Sequence, residues 1–360
     1  MSRSTILTVV GARPQFIKAA AVSRAIRASD DFCETLIHTG QHFDAMMSDI
    51  FFRELDIPQP TEHFAIHGGS HGSMTGRMLE AVERAILKYR PDWVMVYGDT
   101  NSTLAGGLAA AKLKVPVIHI EAGLRSFNRG MPEEINRVLV DHISTLLLSP
   151  THAGVANLAA EGVVRGVVHV GDVMHDAMLY AMARAKTESQ ILGRFGLREG
   201  AFVLATVHRA ENTDDPARLA AIIDLLKAEA RERAVVLPLH PRTRQAIAAG
   251  GHSMEPIRVI EPVGYLDMAR LLDGCAMVMT DSGGLQKEAY FARRPCVTLR
   301  DETEWVETVS HGWNRLWTQS TWATPRTEIT EYGAGDASAR VLDAIRGAQL
   351  SRSGIDAPDR

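Results

Sequence analysis

Thr280-Asp281-Ser282-Gly283-Gly284-Leu285-Gln286-Lys287-Glu288 follows an apolar run at 276–279 and opens a stretch of helix formers. A strand, a Ser-Gly-Gly turn and a helix start in that order make an anion cradle. Glycines let the backbone approach a ligand, first-turn N–H groups lack helical partners, and the helix dipole favours negative charge. A phosphate-bearing substrate is one reading. The other is a serine N-cap ahead of a glycine pair that only serves packing; this stretch alone does not separate the two.

On both sides of it, short β-branched or apolar runs alternate with helical patterns. In the first half, strand patterns at 6–10, 35–38, 94–97, 117–121, 146–149 and 167–170 are separated by helical patterns at 17–28, 74–89, 103–112 and 152–161. After a helical stretch at 174–198, strand patterns return at 202–207, 234–239, 257–260, 276–280 and 296–299, with helices at 218–232, 265–273 and 285–292. Such βα alternation predicts parallel sheets, and two similar halves predict two α/β domains with a cleft between them. The boundary is expected near Gly171, giving domains 1–171 and 172–345. A helix at 336–345 closes the pattern, and residues 346–360 hold too little apolar content to pack, so a flexible tail is expected.

Composition narrows the function classes. The 360 residues are 46% apolar with a formal net charge of −4, enough for two cores and without a dense Lys/Arg run for nucleic acid. Met1-Ser2-Arg3-Ser4 leads directly into a strand pattern, and no apolar stretch reaches spanning length, so a cytoplasmic protein with no membrane partner is expected. Cys33, Cys275 and Cys296 lack metal-type spacing and lie beside apolar residues, which predicts buried, reduced thiols. His38, His42, His63, His67 and His71 lack the H-E-x-x-H arrangement, so no metal site is expected.

Ligands of open α/β sheets bind beyond the carboxyl ends of strands, which raises the standing of polar residues placed there. Arg13 and Lys18 follow the first strand in a turn without the G-x-G-x-x-G dinucleotide pattern. Asp99 and Glu121 end the strands at 94–97 and 117–121, while Glu133 and Glu134 open a helix after Pro132, where acids also complement the dipole. His208 and Arg209 follow the strand at 202–207; His240 repeats that placement one strand later, where Pro241 makes an ordinary helix entry. No G-x-S-x-G elbow is present.

In combination, GARPQFIK (11–18), YGDTNSTLAG (97–106), HIEAGLRS (119–126), MPEEINR (131–137), HRAEN (208–212) and TDSGGLQKEA (280–289) make the chain resemble the non-hydrolysing UDP-N-acetylglucosamine 2-epimerase family. That resemblance implies a glycosyltransferase-B type of fold, two Rossmann-like domains closing over a nucleotide sugar, with no added cofactor, a UDP-sugar as substrate and a homodimer. It implies acid/base and transition-state roles for Asp99, Glu121, Glu133, His208 and Lys18, substrate contacts from Arg13 and Arg209, and a nucleotide cradle of Ser282, Gly283, Gly284 and Glu288. Supply of cell-envelope or capsular polysaccharide precursors follows from the same resemblance.

The chemistry implied is inversion at C2, converting UDP-N-acetylglucosamine to UDP-N-acetylmannosamine. C2 of an N-acetylhexosamine has no adjacent carbonyl, so C1–O cleavage must come first, through an oxocarbenium-like centre that makes the C2 proton removable. Proton work on two faces explains several carboxylates.

Two departures stand out. Trp305 occupies the place after Thr303-Glu304 where the family often has arginine, and QKEAYF with HGWNRL resembles the branch acting on UDP-2,3-diacetamido-2,3-dideoxyglucuronate. Trp305 either meets the sugar or only packs. A hydrolysing relative, releasing UDP and free N-acetylmannosamine, would use nearly the same residues. In relatives activated by substrate at a second site, Gln41, Arg209 and His240 have counterparts. Here Asp44 replaces a usual glutamine and Gly68-Gly69-Ser70-His71 an arginine-bearing loop, so such activation is not expected.

Overall fold

The computed structural model describes residues 3–41, 52–322 and 325–355. They form two compact units, residues 1–177 with 330–360, and residues 178–329. The division falls inside the helix Val173–Glu188 rather than at the expected Gly171, because its first turn belongs to the first unit: Val173 and Met174 are buried and Asp176 holds backbone of the last helix. The helical pattern at 174–198 resolves into this helix and a short one, Ile191–Arg194.

Among the described residues, the first unit carries strands β1 (Ser4–Val10), β2 (Phe32–His38), β3 (Glu62–His63), β4 (Trp93–Tyr97), β5 (Val117–Ile120), β6 (Leu146–Ser149) and β7 (Val167–His169). They pair in parallel in the order β3-β2-β1-β4-β5-β6-β7. Alternate strand positions bury Leu7, Val9, Ile37, Val94, Val96 and Val117 against Val82 and Ile86 of the helix His71–Tyr89. Near-continuous apolar strands are what a sheet covered on both faces requires.

The second unit carries β8 (Phe202–Thr206), β9 (Ala234–Pro238), β10 (Arg258–Ile260), β11 (Met277–Thr280), β12 (Cys296–Thr298) and β13 (Asn314–Leu316). Their order is β10-β9-β8-β11-β12-β13, again parallel. Val203, Val235, Leu237, Met279 and Val297 meet Leu219, Ile222 and Ile223 of the helix Pro216–Ala230 in its core. In each unit the strand order reverses once, between β1 and β4 and between β8 and β11, and such reversals open a crevice at the strands' carboxyl ends.

The expected tail at 346–360 is corrected in part. The last helix, Ala337–Ile355, runs on past Ile345; residues 356–360 lie outside the described set. Asp176 caps its start by accepting from Ala337 N (3.1 Å) and Ser338 N (2.8 Å), and Arg346 Nε reaches Asp31 Oδ2 at 2.8 Å. Both anchors are in the first unit, so the chain returns to it after Ile329. No helix of the described residues is long and apolar enough to cross a membrane.

Candidate functional site

In the first unit the crevice between β1 and β4 is lined from the turns that follow the strands. Lys18, one turn into the helix Arg13–Arg27, pairs its ammonium with Glu121 Oε2; both side chains are about nine-tenths buried. Glu121 follows β5 with φ 71°, a left-handed conformation that non-glycine residues adopt at a cost of about 1–3 kcal/mol and that clusters at functional sites. Gly98 (φ 61°) follows β4, and a Cβ there would lie 3.2 Å from both Glu121 Oε2 and Lys18 Nζ. Only glycine suits that backbone and that close approach.

Asp99 accepts from Arg137 Nη2 at 2.6 Å, and Asn136 Nδ2 donates to its carbonyl at 2.9 Å. Both partners sit on the helix Pro132–Ile143. Glu133 stands exposed in its first turn, and among the described residues joins neither ion pair. Glu134 turns inward and accepts from Ser126 N and Phe127 N at 2.9 and 2.8 Å, a structural task. Arg13 begins the first helix exposed. The turn it belongs to has its amides taken: Gln15 Oε1 accepts from Gly11 N (2.8 Å) and Ala12 N (3.1 Å), and its amide donates to Tyr97 O. This turn ties β1 to β4.

Behind the carboxylates lies a buried polar chain. His119 links the Gly98 carbonyl and Asp141, each at 2.7 Å, and Arg125 donates to Asp141 at 2.6 Å and to Glu161 at 2.7 Å. Burial alone would raise the Asp141 carboxyl, but His119 and Arg125 outweigh it and hold it below the usual carboxylate range.

In the second unit Ser282 caps the helix Gly283–Phe291, its hydroxyl accepting from Leu285 N at 3.4 Å. The first N–H groups of that helix have no intrahelical acceptors. A Cβ on Gly284 would meet nothing nearer than Ser282 Oγ at 4.0 Å, so the turn is open to a ligand, whereas one on Gly283 would collide with the Glu304 carboxylate. Glu288 is mostly buried and accepts from Tyr265 Oη at 3.4 Å. The serine cap of the Ser-Gly-Gly stretch is thus present, and Gly284, unlike Gly283, leaves the helix start approachable.

Asp281 completes this side. Fully buried, it accepts from His208 N and Arg209 N (each 2.9 Å) and Asn212 Nδ2 (3.0 Å), and faces His208 Nδ1 at 3.1 Å. Burial would raise its carboxyl; His208 and the two backbone donors outweigh that and keep it below the usual range. The half-exposed His208 ring is thus oriented from the residue that follows β11, and Arg209 lies beside Gly283, its Nη2 3.7 Å from where a Cβ would be.

Other expectations fare differently. Cys275 and Cys296 are buried, burial pushing the Cys275 thiol up to about 12, but Cys33 points outward from β2 and is exposed. His38 stacks on His63 with ring centroids 4.3 Å apart, and among the described residues no group of three or more His, Cys, Asp or Glu is arranged to hold a metal; His42 lies outside that set. Trp305 packs over Lys287 Nζ, 4.0 Å from the ring centroid. Of the second-site residues, Gln41 accepts from Ser102 N at 3.0 Å and His240 caps the helix Pro241–Ala249, while Asp44 lies outside the described residues. An arginine does serve the glycine loop: Arg77 Nη2 donates to Gly68 O at 2.7 Å.

Residues 24–346 match the family model described as UDP-N-acetylglucosamine 2-epimerase. The chain belongs to that family. A UDP-2,3-diacetamido-2,3-dideoxy-D-glucuronate 2-epimerase of Pseudomonas aeruginosa is 52% identical, over 94% of this chain and 99% of the relative. A UDP-N-acetylglucosamine 2-epimerase homolog of Methanococcus maripaludis is 47% identical over 95% and 99% of the two chains. The crystal structure of the Methanocaldococcus jannaschii UDP-GlcNAc 2-epimerase, in complex with UDP-GlcNAc and UDP, superposes with a TM-score of 0.82 at 38% identity, covering 96% of this chain and all of that one.

For a member of the UDP-N-acetylglucosamine 2-epimerase family, two parallel α/β units are the expected glycosyltransferase-B class. Within the first unit Lys18, Glu121 and Asp99 gather around one crevice, without Glu133; within the second, His208, Arg209, Ser282, Gly283 and Gly284 gather around the other. Sequence reasoning assigned no role to Gln15, His119, Arg137, Asp141 or Asp281. Four of these lie inside the motifs at 11–18, 119–126, 131–137 and 280–289, so the signal was their company; Asp141 had none.

Proposed function

We propose that this enzyme inverts C2 of a UDP-N-acetylhexosamine, the UDP-N-acetylglucosamine to UDP-N-acetylmannosamine type of reaction, without hydrolysis. The C1–O bond to UDP breaks and its electron pair leaves on the diphosphate. A carboxylate takes the C2 proton, leaving a 2-acetamidoglucal with a C1=C2 double bond. UDP oxygen then re-adds to C1 while a proton is delivered to the opposite face of C2, so nothing is consumed. The carrying observation is the pair of carboxylates ending neighbouring strands, Glu121 held by Lys18 and Asp99 by Arg137. Acid and base on one carbon need two such groups.

Asp99 and Glu121 handle the C2 protons, with Glu133 a third candidate carboxylate and Lys18 paired with Glu121. Arg13, Arg209, His208 and the Ser282-Gly283-Gly284 turn bind and stabilise the departing UDP, and Glu288 takes the ribose. The 52% identical relative favours a second reading for the sugar itself, the 2,3-diacetamido uronic form. A cytoplasmic place and supply of envelope polysaccharide precursors accompany either sugar. A homodimer is supported by the helix Pro132–Ile143, which leaves Met131, Ile135 and Leu139 exposed in one stripe beside the exposed Phe127.

NMR in D2O with UDP-N-acetylglucosamine and, separately, UDP-2,3-diacetamido-2,3-dideoxyglucuronate tests this. Deuterium at C2 in intact UDP-sugar of both C2 configurations is expected and names the sugar. Free UDP with free N-acetylmannosamine would instead identify a hydrolysing enzyme, and no exchange with either sugar would overturn the epimerase reading.

A further inference from the structure

His119 is wholly buried, yet its ring bridges the backbone turns that carry the two reactive carboxylates. Nε2 lies 2.7 Å from Gly98 O, the carbonyl just before Asp99, and Nδ1 lies 2.7 Å from Asp141 Oδ1. A backbone carbonyl can only accept, so the bond to Gly98 is a donation from Nε2. Asp141 is itself fixed: Oδ2 accepts from Arg125 Nη1 at 2.6 Å and from Gly123 N, two residues after Glu121, at 3.1 Å. Gly98 N in turn donates to Ile120 O at 2.9 Å. The Asp99 turn and the Glu121 turn are thus cross-linked through one imidazole, and both contain left-handed backbone that needs outside support, Gly98 at φ 61° and Glu121 at φ 71°.

We infer that His119 is a positioning residue for this reaction: by donating from Nε2 to the Gly98 carbonyl it sets the register of the Asp99 turn against Glu121, and so the placement of acid and base about C2. The inference rests on the proposed roles of Asp99 and Glu121. It assigns the catalytic consequence to one of the two ring bonds, the one to Gly98; the bond to Asp141 anchors the ring.

Two amide variants separate those bonds, because an asparagine amide nitrogen falls near the place of Nδ1 and a glutamine amide nitrogen near that of Nε2. His119→Asn keeps a donor toward Asp141 and loses the Gly98 bond; His119→Gln does the reverse. Each loses one ring bond, and the shorter asparagine also leaves the larger void, so under a merely structural role kcat in the two variants follows the loss of Tm. The positioning role predicts that His119→Asn loses about 10- to 100-fold in kcat with KM and UDP affinity within about twofold, while His119→Gln stays within about threefold of the wild type. Equal kcat losses in both variants, or none in His119→Asn, would overturn it. Should His119→Asn not fold, Asn136→Ala removes another bond that holds this turn, from Asn136 Nδ2 to Asp99 O at 2.9 Å. A kcat-only loss is expected there, and an unchanged kcat would count against turn positioning. Wild-type C2 exchange is measured first: its absence overturns the epimerase reading and this inference with it, whereas exchange in the wild type matched by His119→Asn overturns this inference alone.

Discussion

Replacing Asp281 by asparagine keeps shape and removes charge at the group that orients His208. In the native structure Oδ2 accepts from His208 N, Arg209 N and Asn212 Nδ2 at 2.9, 2.9 and 3.0 Å, while Oδ1 faces the His208 ring nitrogen Nδ1 at 3.1 Å. An amide oxygen in the Oδ2 place retains the three donors. The amide nitrogen then confronts Nδ1 in place of a carboxylate oxygen, so the pairing of carboxylate and ring is lost. Loss of one charge-assisted bond in a buried setting costs about 2–3 kcal/mol of stability. For a unit of this size that corresponds to roughly 4–12 °C in Tm.

The catalytic loss is set by the stabilisation of departing UDP. A weakened preorganised donor costs about 2–4 kcal/mol, or roughly 30- to 1000-fold in kcat. Because the folded-state carboxyl of Asp281 lies below its usual value, its contribution to stability is full above the unfolded value and is lost as pH falls through the folded one. The Tm gap between wild type and Asp281→Asn is therefore complete at pH 7 and closes below about pH 4. Thermal melts across pH, with kcat and KM from C2 exchange, check both parts. A variant with native Tm at pH 7 and kcat within about threefold of the wild type would refute the reasoning.

Gly98→Ala introduces a Cβ 3.2 Å from both Lys18 Nζ and Glu121 Oε2 at a left-handed position. About 1–2 kcal/mol of backbone strain and a kcat lowered about 10- to 100-fold at normal UDP affinity are expected; steady-state kinetics with unchanged kcat would remove the claim that this glycine protects the ion pair. Ile135→Glu places a charge in the exposed apolar stripe of the helix Pro132–Ile143. Sedimentation should give a dimer for the wild type and a monomer for the variant with C2 exchange by the folded chain still measurable, and a dimer that survives the change would locate the interface elsewhere.

Strands of the sheet centres were legible because parallel strands covered on both faces leave apolar, β-branched runs, as at β1, β4, β8 and β11. The strands at two sheet edges, β3 with Glu62–His63 and β13 with Asn314–Leu316, were not, since short polar edge strands exist only through pairing with β2 and β12. Cys33 shows the same limit in reverse: apolar neighbours along the chain say nothing about which face of β2 a residue takes. Glu133 and Glu134 stand side by side in sequence, and only helix phase turns Glu134 inward to hold backbone amides and leaves Glu133 exposed.

By itself the sequence determined the α/β class, the parallel sheets, the helix start after Ser282 and which strand ends carry charge, because those depend on periodicity and local turn chemistry that each segment holds alone. Tertiary structure decided that Lys18 pairs with Glu121 across 103 positions, that Asp281 orients His208, and that His119 joins the Gly98 turn to Asp141. These are interactions of single polar atoms between distant segments. Their energies depend on distances of a few tenths of an ångström and on burial, quantities that come into being only when the sheet brings the strand ends together.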